Sequence, residues 1–500
     1  MDEKNYKLDE TESKLELDNQ YNEDKNLLEK EKNPPISIEN IISKGFLSYY
    51  PISVTISIIL ILITDGLTMV LISLLVIPIQ GKYNLTSFTT ELMTASIFFG
   101  VALGSISINY LTNKFCRIKL IKIFLFCLLI FHILTAVGNS AVLFIIFRIL
   151  AGFSIGVIKP IALNIFGEYC PANVRGFSLT VIWIFFSVGH ILLGTITINV
   201  MPDYDSSKLS IVIMYSSIII LITFLVCLLT LYNSPRYLIL KNQIDEAFII
   251  LQSMKGNAFT QNEKESILRE VKEDNNNEKN QNVNICDIFN SKFKLRTLLL
   301  MGIMGAGSSS FYGILNITNL TMKELNYNSW IIEYKDIQYE QLLMATFACI
   351  FLIFGSIYVE LSQLGRKGVS ICFIILTGIF YLFSICFTSL FNTFLVLGYG
   401  SNCVFFNVMC TYFIEVYPTW IRDTSSSFLF TCIRIFSFLF QFLYLGLFQV
   451  SYTIDYILTV IFCFIGAVLI YYLPIETDGK ALDSYIDIKD INDNIKNKSV

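Results

Sequence analysis

Charge is what this sequence has least of. Only 15% of its 500 residues are Asp, Glu, Lys or Arg, against roughly 25% in a soluble protein. The few charges are also bunched. Residues 1–46 hold 19, residues 233–296 another 19 and residues 474–500 ten, which leaves 28 for the remaining 363 positions. A water-facing surface cannot be built from so few, so most of the chain is predicted to lie in lipid. Net charge is −4, which gives no basic footprint and no reason to expect a nucleic-acid partner. There are two histidines, His132 and His190, both within apolar runs, where structural roles outnumber catalytic or metal-binding ones. The twelve cysteines include no C-x-x-C and most stand in apolar runs, so neither a disulfide framework nor a metal cluster is expected. Residues 1–30 lack an apolar core, and no cleaved signal peptide is expected. No cofactor is implied.

What the chain has instead is long apolar runs. A helix needs about 20 apolar residues to cross a bilayer. Such runs fall at approximately 48–79, 91–111, 120–138, 141–165, 177–200 and 210–232, then at 297–318, 340–361, 369–388, 393–414, 424–448 and 456–473. The reading is an all-α integral membrane protein of twelve transmembrane helices in two pseudo-symmetric six-helix bundles. Its parts are a disordered tail (1–46), a first bundle (47–232), a linker (233–296), a second bundle (297–473) and a second tail (474–500). Within the linker, Tyr237 to Leu251 has apolar residues at helical spacing, and residues 270–284 are low-complexity; a solvated tether is the preferred reading.

Orientation follows from basic residues in the short loops. Loops after even-numbered spans carry Lys114, Arg117, Lys119, Lys122, Arg175, Arg366, Lys367 and Arg422, whereas the opposite loops carry Lys82, Lys208, Lys323 and Lys335. This bias puts both termini in the cytoplasm and the acceptor triplets at Asn84 and Asn319 outside, in the plasma membrane or an organelle membrane.

The two halves also share a loop pattern. Glu168-Tyr-Cys-Pro-Ala-Asn-Val-Arg175 and Glu415-Val-Tyr-Pro-Thr-Trp-Ile-Arg422 both read Glu-x-x-Pro-x-x-x-Arg at an offset of 247 residues. The loops at Asn113–Arg117 and Ser362–Lys367 correspond at an offset of 249. Duplicated bundles around a midplane site are a transporter architecture. The carboxylates of Glu168 and Glu415 are placed to pair with Arg117 and Arg366, and with Arg175 and Arg422 they form a predicted cytoplasmic gate.

These motifs resemble the major facilitator superfamily. The loop after the second span retains Gly104 and Arg117 of its signature but has Asn113, Lys114 and Cys116 at other positions, and the second copy keeps Gly365, Arg366 and Lys367. The chain is similar in particular to the branch of organic-ion and synaptic-vesicle-type transporters beside the sugar porters. The residues that carry this are Asp65-Gly66, Arg148-Ile-Leu-Ala-Gly-Phe-Ser-Ile-Gly156, Ser234-Pro-Arg236, Glu415-Val-Tyr-Pro-Thr, Arg434 and Leu473-Pro-Ile-Glu-Thr-Asp-Gly479. The resemblance covers about residues 48–483 and implies a monomer that moves a small-molecule solute across the bilayer. Thr68 stands where that branch commonly has an acid, a departure from its cation-type pattern.

Charges deep in a span cost several kcal/mol unless they pair or line a cavity. Four stand out: Asp65, Arg148, Lys159 and Arg434. Arg148 and Lys159 are eleven residues apart, on one face of the fourth helix and roughly 16 Å apart along it. Ser427, Thr431, Arg434 and Gln441 likewise share one face of the eleventh. For Arg148, pairing with Asp65 competes with a solute role; for Lys159, the rival is Glu168. The resemblance implies an anion-type choice at Arg434 and a proton-coupling role for Asp65. Gly302, Gly305, Gly307 and Ser308 to Ser310 make the seventh span soft enough to bend over the site, where Tyr312 and Asn316 could contact solute. The reading is a carrier of a small organic anion, possible symport with protons included. A sugar or neutral-solute facilitator ranks second and a non-transporting receptor or scaffold third. No nucleophile-base or metal constellation suggests an enzyme.

Overall fold

In a computed structural model of the protein the described residues are 38–476, apart from 84, 172–173, 204, 262, 269–284, 292, 316, 319–320, 322–333 and 418. Asn84, Asn316 and Asn319 therefore lie outside them, as do residues 270–284 and most of both tails.

Eleven helices among the described residues are long and apolar enough to span a bilayer. In chain order the membrane helices are Tyr49–Tyr83, Ser87–Lys114, Arg117–Val137, Ala141–Tyr169, the broken pair Arg175–Val181 and Ile184–Val200, then Leu209–Thr230, and, in the second half, Lys294–Ser308, Tyr334–Leu361, Gly365–Cys386, Phe391–Glu415, Thr419–Phe448 and Tyr452–Tyr471. The seventh is the exception to the eleven. Its regular part is 15 residues long, followed by a π-helical turn, Ser309–Gly313. The arrangement is the duplicated twelve-helix fold that the hydropathy and the loop repeat predict.

Small residues set the closest helix approaches. A Cβ on Gly104 would run into the Phe153 carbonyl, and one on Gly152 or Gly156 into the carbonyls of Ile97 or Val101. The second and fourth helices thus pack backbone to backbone, which is what those glycines are for. Pro160 lies inside the fourth helix and cannot donate to the carbonyl of Gly156 four residues back. The Ser105 hydroxyl takes that place, donating to the Gly156 carbonyl at 3.1 Å. The helix can therefore carry a proline next to Lys159 without leaving a buried acceptor unpaired.

The chain divides into two compact units, Met1–Gly45 with Pro235–Lys279, and Phe46–Ser234 with Asn280–Val500. The first differs from the tail and tether expected there. Helices Ile38–Gly45, Pro235–Leu240 and Ile244–Lys255 bury Ile38, Ile41, Ile42, Phe248 and Leu251. Arg236 pairs with Glu39 at 2.7 Å. Lys255 and the Thr260 N–H hold the Glu263 carboxyl below the usual carboxylate range. Residues 38–45 read as a polar tail because their apolar partners lie some 200 positions away in sequence.

Candidate functional site

Within the larger unit the loops after even-numbered spans lie at one end of the bundle, and both carboxylate–guanidinium pairs form there. Arg117 meets Glu168 at 2.8 Å and Arg366 meets Glu415 at 2.5 Å, all four buried. Each pair is internal to its own half. The second Glu168 oxygen accepts from Ser234. In the second half the analogous tie comes from Glu476, which accepts from the backbone N–H of Arg366 at 2.9 Å and of Lys367 at 3.2 Å. Gly365 adopts φ +65, and a Cβ there would sit 2.6 Å from the Glu476 carboxyl carbon, so the motif needs glycine on both counts. Glu476 was legible as part of a motif but not as a member of this cluster. Arg175 donates to the carbonyls of Gly167 and Cys170, and Arg422 to that of Tyr417. Both thereby satisfy helix-end acceptors.

The two halves meet directly at both ends. At the loop-arginine end, Asn164 donates to Ser426 at 3.1 Å, Thr424 to Asn109 at 3.2 Å, and the Arg366 guanidinium rests against Gly176 of the other half. At the opposite end Gln338 donates to the Met201 carbonyl at 3.0 Å and Phe88 packs on Phe442.

Between these closures lies the charged centre. Asp65 of the first helix and Lys159 of the fourth form a buried ion pair at 2.6 Å. This corrects two expectations: Lys159 does not turn to Glu168, and Asp65 does not neutralise Arg148. Arg148 is fully buried and donates to the Thr68 carbonyl at 2.8 Å. Its Nε and Nη1 have no hydrogen-bond partner among the described residues. It lies beside His132, which bonds Ser216 at 2.8 Å, inside the first bundle. Arg148 therefore does not join the other deep cations, although it shares a helix face with Lys159. The rotation of that helix was legible; its partners were not.

Arg434 does join them. It is 1% exposed, its guanidinium lies 4.8 Å from the Tyr312 ring and 5.9 Å from that of Phe98, and its charge is felt at Lys159. Its Nε and Nη1 have no partner among the described residues, which leaves donors for a ligand. Gln441 is buried. Its amide donates to the Tyr312 carbonyl at 3.1 Å and so holds the π-helical turn that aims Phe311 and Tyr312. Across from it the fifth helix tightens: Trp183 bonds Thr180 and Phe186 bonds Trp183, both i to i−3. Irregular turns thus face each other from the two halves.

The rings they present were not found from the sequence. Lys159 Nζ lies 4.5 Å from the Trp183 ring, 5.3 Å from Phe186 and 5.9 Å from Phe430. A small cavity of about 10 Å³ opens beside it, walled by Trp183, Phe186, Phe311, Tyr312 and Phe406 with Ser187 and Asn407 as polar lining. With 42 phenylalanines in the chain, composition and spacing single out none of them.

The architecture and this centre can be set beside known proteins. The model of the family described as "Sugar (and other) transporter" matches residues 22–487. The chain belongs to the sugar (and other) transporter family. It is similar to the synaptic vesicle 2-related protein of Xenopus laevis, 24% identical, with 84% of this chain and 77% of the relative covered. It is also similar to organic cation/carnitine transporter 7 of Arabidopsis thaliana, 25% identical, covering 85% and 91%. Among solved structures, the major facilitator proton:xylose symporter XylE of E. coli superposes with a TM-score of 0.70 at 16% identity, covering 87% of this chain and 98% of XylE. That likeness shows the fold. This sugar-transporter family member is a multi-pass membrane protein that moves a small solute, not an enzyme.

Proposed function

We propose that the solute is a small organic anion, carried by alternating access. The observation behind this is the charge of the centre. Two cations, Lys159 and Arg434, face one acid, Asp65, in a surround where an unbalanced charge is costly. An anion between Arg434 and Lys159 restores balance, and the two unpartnered guanidinium nitrogens supply its hydrogen bonds. The relative named for organic cations has no such claim on this site, because a cation would add to the excess.

Asp65 is the coupling candidate. An anion that draws the ammonium of Lys159 leaves Asp65 without its counter-charge, and taking up a proton is the neutralising response. The charged ends (Arg117, Glu168 and Arg175, with Arg366, Glu415 and Arg422) act as the inner gate, and the basic bias of their loops supports a cytoplasmic position.

The decisive test is uptake into proteoliposomes. Arg434→Ala is expected to reduce anion uptake by more than tenfold, since a buried charge partner is worth roughly 2–5 kcal/mol; unchanged uptake would sink the proposal. Asp65→Asn is expected to abolish accumulation driven by a pH gradient while sparing solute exchange. A sugar facilitator remains the second reading, and competition by neutral sugars but not by anions would establish it.

A further inference from the structure

We infer that the second bundle binds a sodium ion at the end opposite the loop arginines, held by Asp455, Tyr456 and Thr321. The site is separate from the charged centre and does not depend on what the solute is.

Asp455 stands in the first turn of the twelfth helix and is fully buried. Neither of its carboxylate oxygens has a hydrogen-bond partner among the described residues, and no basic side chain among them pairs with it. The dipole of its own helix offsets only a small part of the cost of burying that charge. Two more oxygens nearby are in the same condition. The hydroxyls of Tyr456 and Thr321 are buried and have no partner among the described residues. Thr318 and Thr321 of the seventh span lie beside the Tyr456 phenol, where the charge of Asp455 is also felt. Buried polar atoms are nearly always paired, so four unpaired oxygens from two spans make a donor set. Water would serve their lone pairs but would leave the carboxylate's charge unbalanced.

The chemistry of the set selects the ion. Its donors are all hard oxygens, which suit an alkali or alkaline-earth cation over a transition metal. One carboxylate balances one positive charge, whereas a divalent ion would leave an excess in buried surroundings. The other groups facing the site are uncharged, Tyr444 from the eleventh helix and Tyr381 from the ninth. The rings of Phe391 and Tyr381 pack on Tyr456, with centroids at 5.5 and 6.1 Å, and this close packing favours a small ion.

A chain of hydroxyls joins the site to the charged centre. Thr459, one turn on from Asp455, donates to the Asp455 carbonyl at 2.9 Å and bonds the Tyr444 hydroxyl at 2.7 Å. Tyr444 in turn bonds Ser309 at 2.6 Å. Ser309 opens the π-helical turn that carries Phe311 and Tyr312. A cation bridging the seventh and twelfth helices therefore steadies the segment that faces the solute. Interrupted helices are where transporters commonly hold coupling ions.

The experiment is thermal unfolding of the purified full-length protein at one fixed pH, in sodium chloride against choline chloride of equal ionic strength. Sodium is expected to raise the melting temperature saturably, as a ligand of the folded state does, and choline to leave it unchanged. Asp455→Asn keeps the shape of the side chain without its charge and is expected to lose the response. Tyr456→Phe is expected to raise the half-saturating sodium concentration about tenfold, and it carries the test if the Asn variant does not fold. Asp65→Asn is expected to keep the response, which separates this site from the coupling candidate in the centre. Equal melting in sodium and choline overturns the inference, as does a sodium response that survives in Asp455→Asn. Stabilisation by acid instead of sodium, absent from Asp455→Asn, would show that a proton neutralises this carboxylate and would overturn it too.

Discussion

Arg148 carries the sharpest physical problem at the scale of single residues. A guanidinium does not deprotonate in proteins, and here it is fully buried with two nitrogens unpartnered among the described residues. Thr68, whose carbonyl it bonds, stands where the family resemblance read from the sequence implies an acid. Thr68→Glu is therefore expected to raise stability in detergent by about 1–3 kcal/mol, supplying the charge whose loss from a buried pair costs roughly 3–5 kcal/mol; a lowered melting temperature would mean the guanidinium is balanced otherwise. Ser105→Ala should cost about 1–3 kcal/mol by stranding the Gly156 carbonyl beside Pro160, and a thermal melt would report it. Sequence reasoning singled out Arg148, Lys159, Asp65 and Arg434 because a charge in an apolar run is conspicuous. It could not pair them. The choice of Asp65 for Lys159 depends on how two helices, 94 residues apart in sequence, rotate against each other.

At the scale of elements, the two halves solve the same task with different parts. Glu168 is backed by Ser234, whereas the ninth helix is capped by Glu476 from beyond the twelfth. Glu476→Ala removes acceptors from two N–H groups at that helix start. The expected loss is about 1–2 kcal/mol, with faster hydrogen exchange at Arg366 and Lys367; unaltered exchange there would show the cap to be dispensable. The repeated loops were readable because a repeat is a pattern in one dimension. The π-helical turn at Ser309–Gly313 was legible only as softness, from its glycines and serines. Gln441 donates to the Tyr312 carbonyl within that turn, a contact between segments 129 residues apart that no spacing marks.

At the scale of the whole membrane unit, contacts between the halves at both ends enclose the charged centre. A carrier that works by alternating access must break one set at a time. Short bifunctional cross-linking of cysteines introduced at positions 109 and 424, or at 201 and 338, is expected to stop uptake in either case and to be reversed on cleavage. Uptake that persisted with one end locked would exclude alternation between those ends. The exposed native thiols Cys286, Cys372 and Cys386 are replaced first, whereas Cys170, in the loop after the fourth helix, is buried.

By itself the sequence determined the membrane class, the helix count and the duplicated halves. Hydropathy, loop charge and repetition are properties of the chain read in order, and lipid enforces them on any fold it will accept. Only the tertiary structure decided which charges meet, that Arg148 stands apart, and that Trp183, Phe186, Phe311 and Phe406 share one cavity. Those outcomes follow from helix rotation and from approaches of a few ångströms between distant segments. In an apolar background where every face of a helix is permitted, no spacing rule distinguishes the face that lines the site.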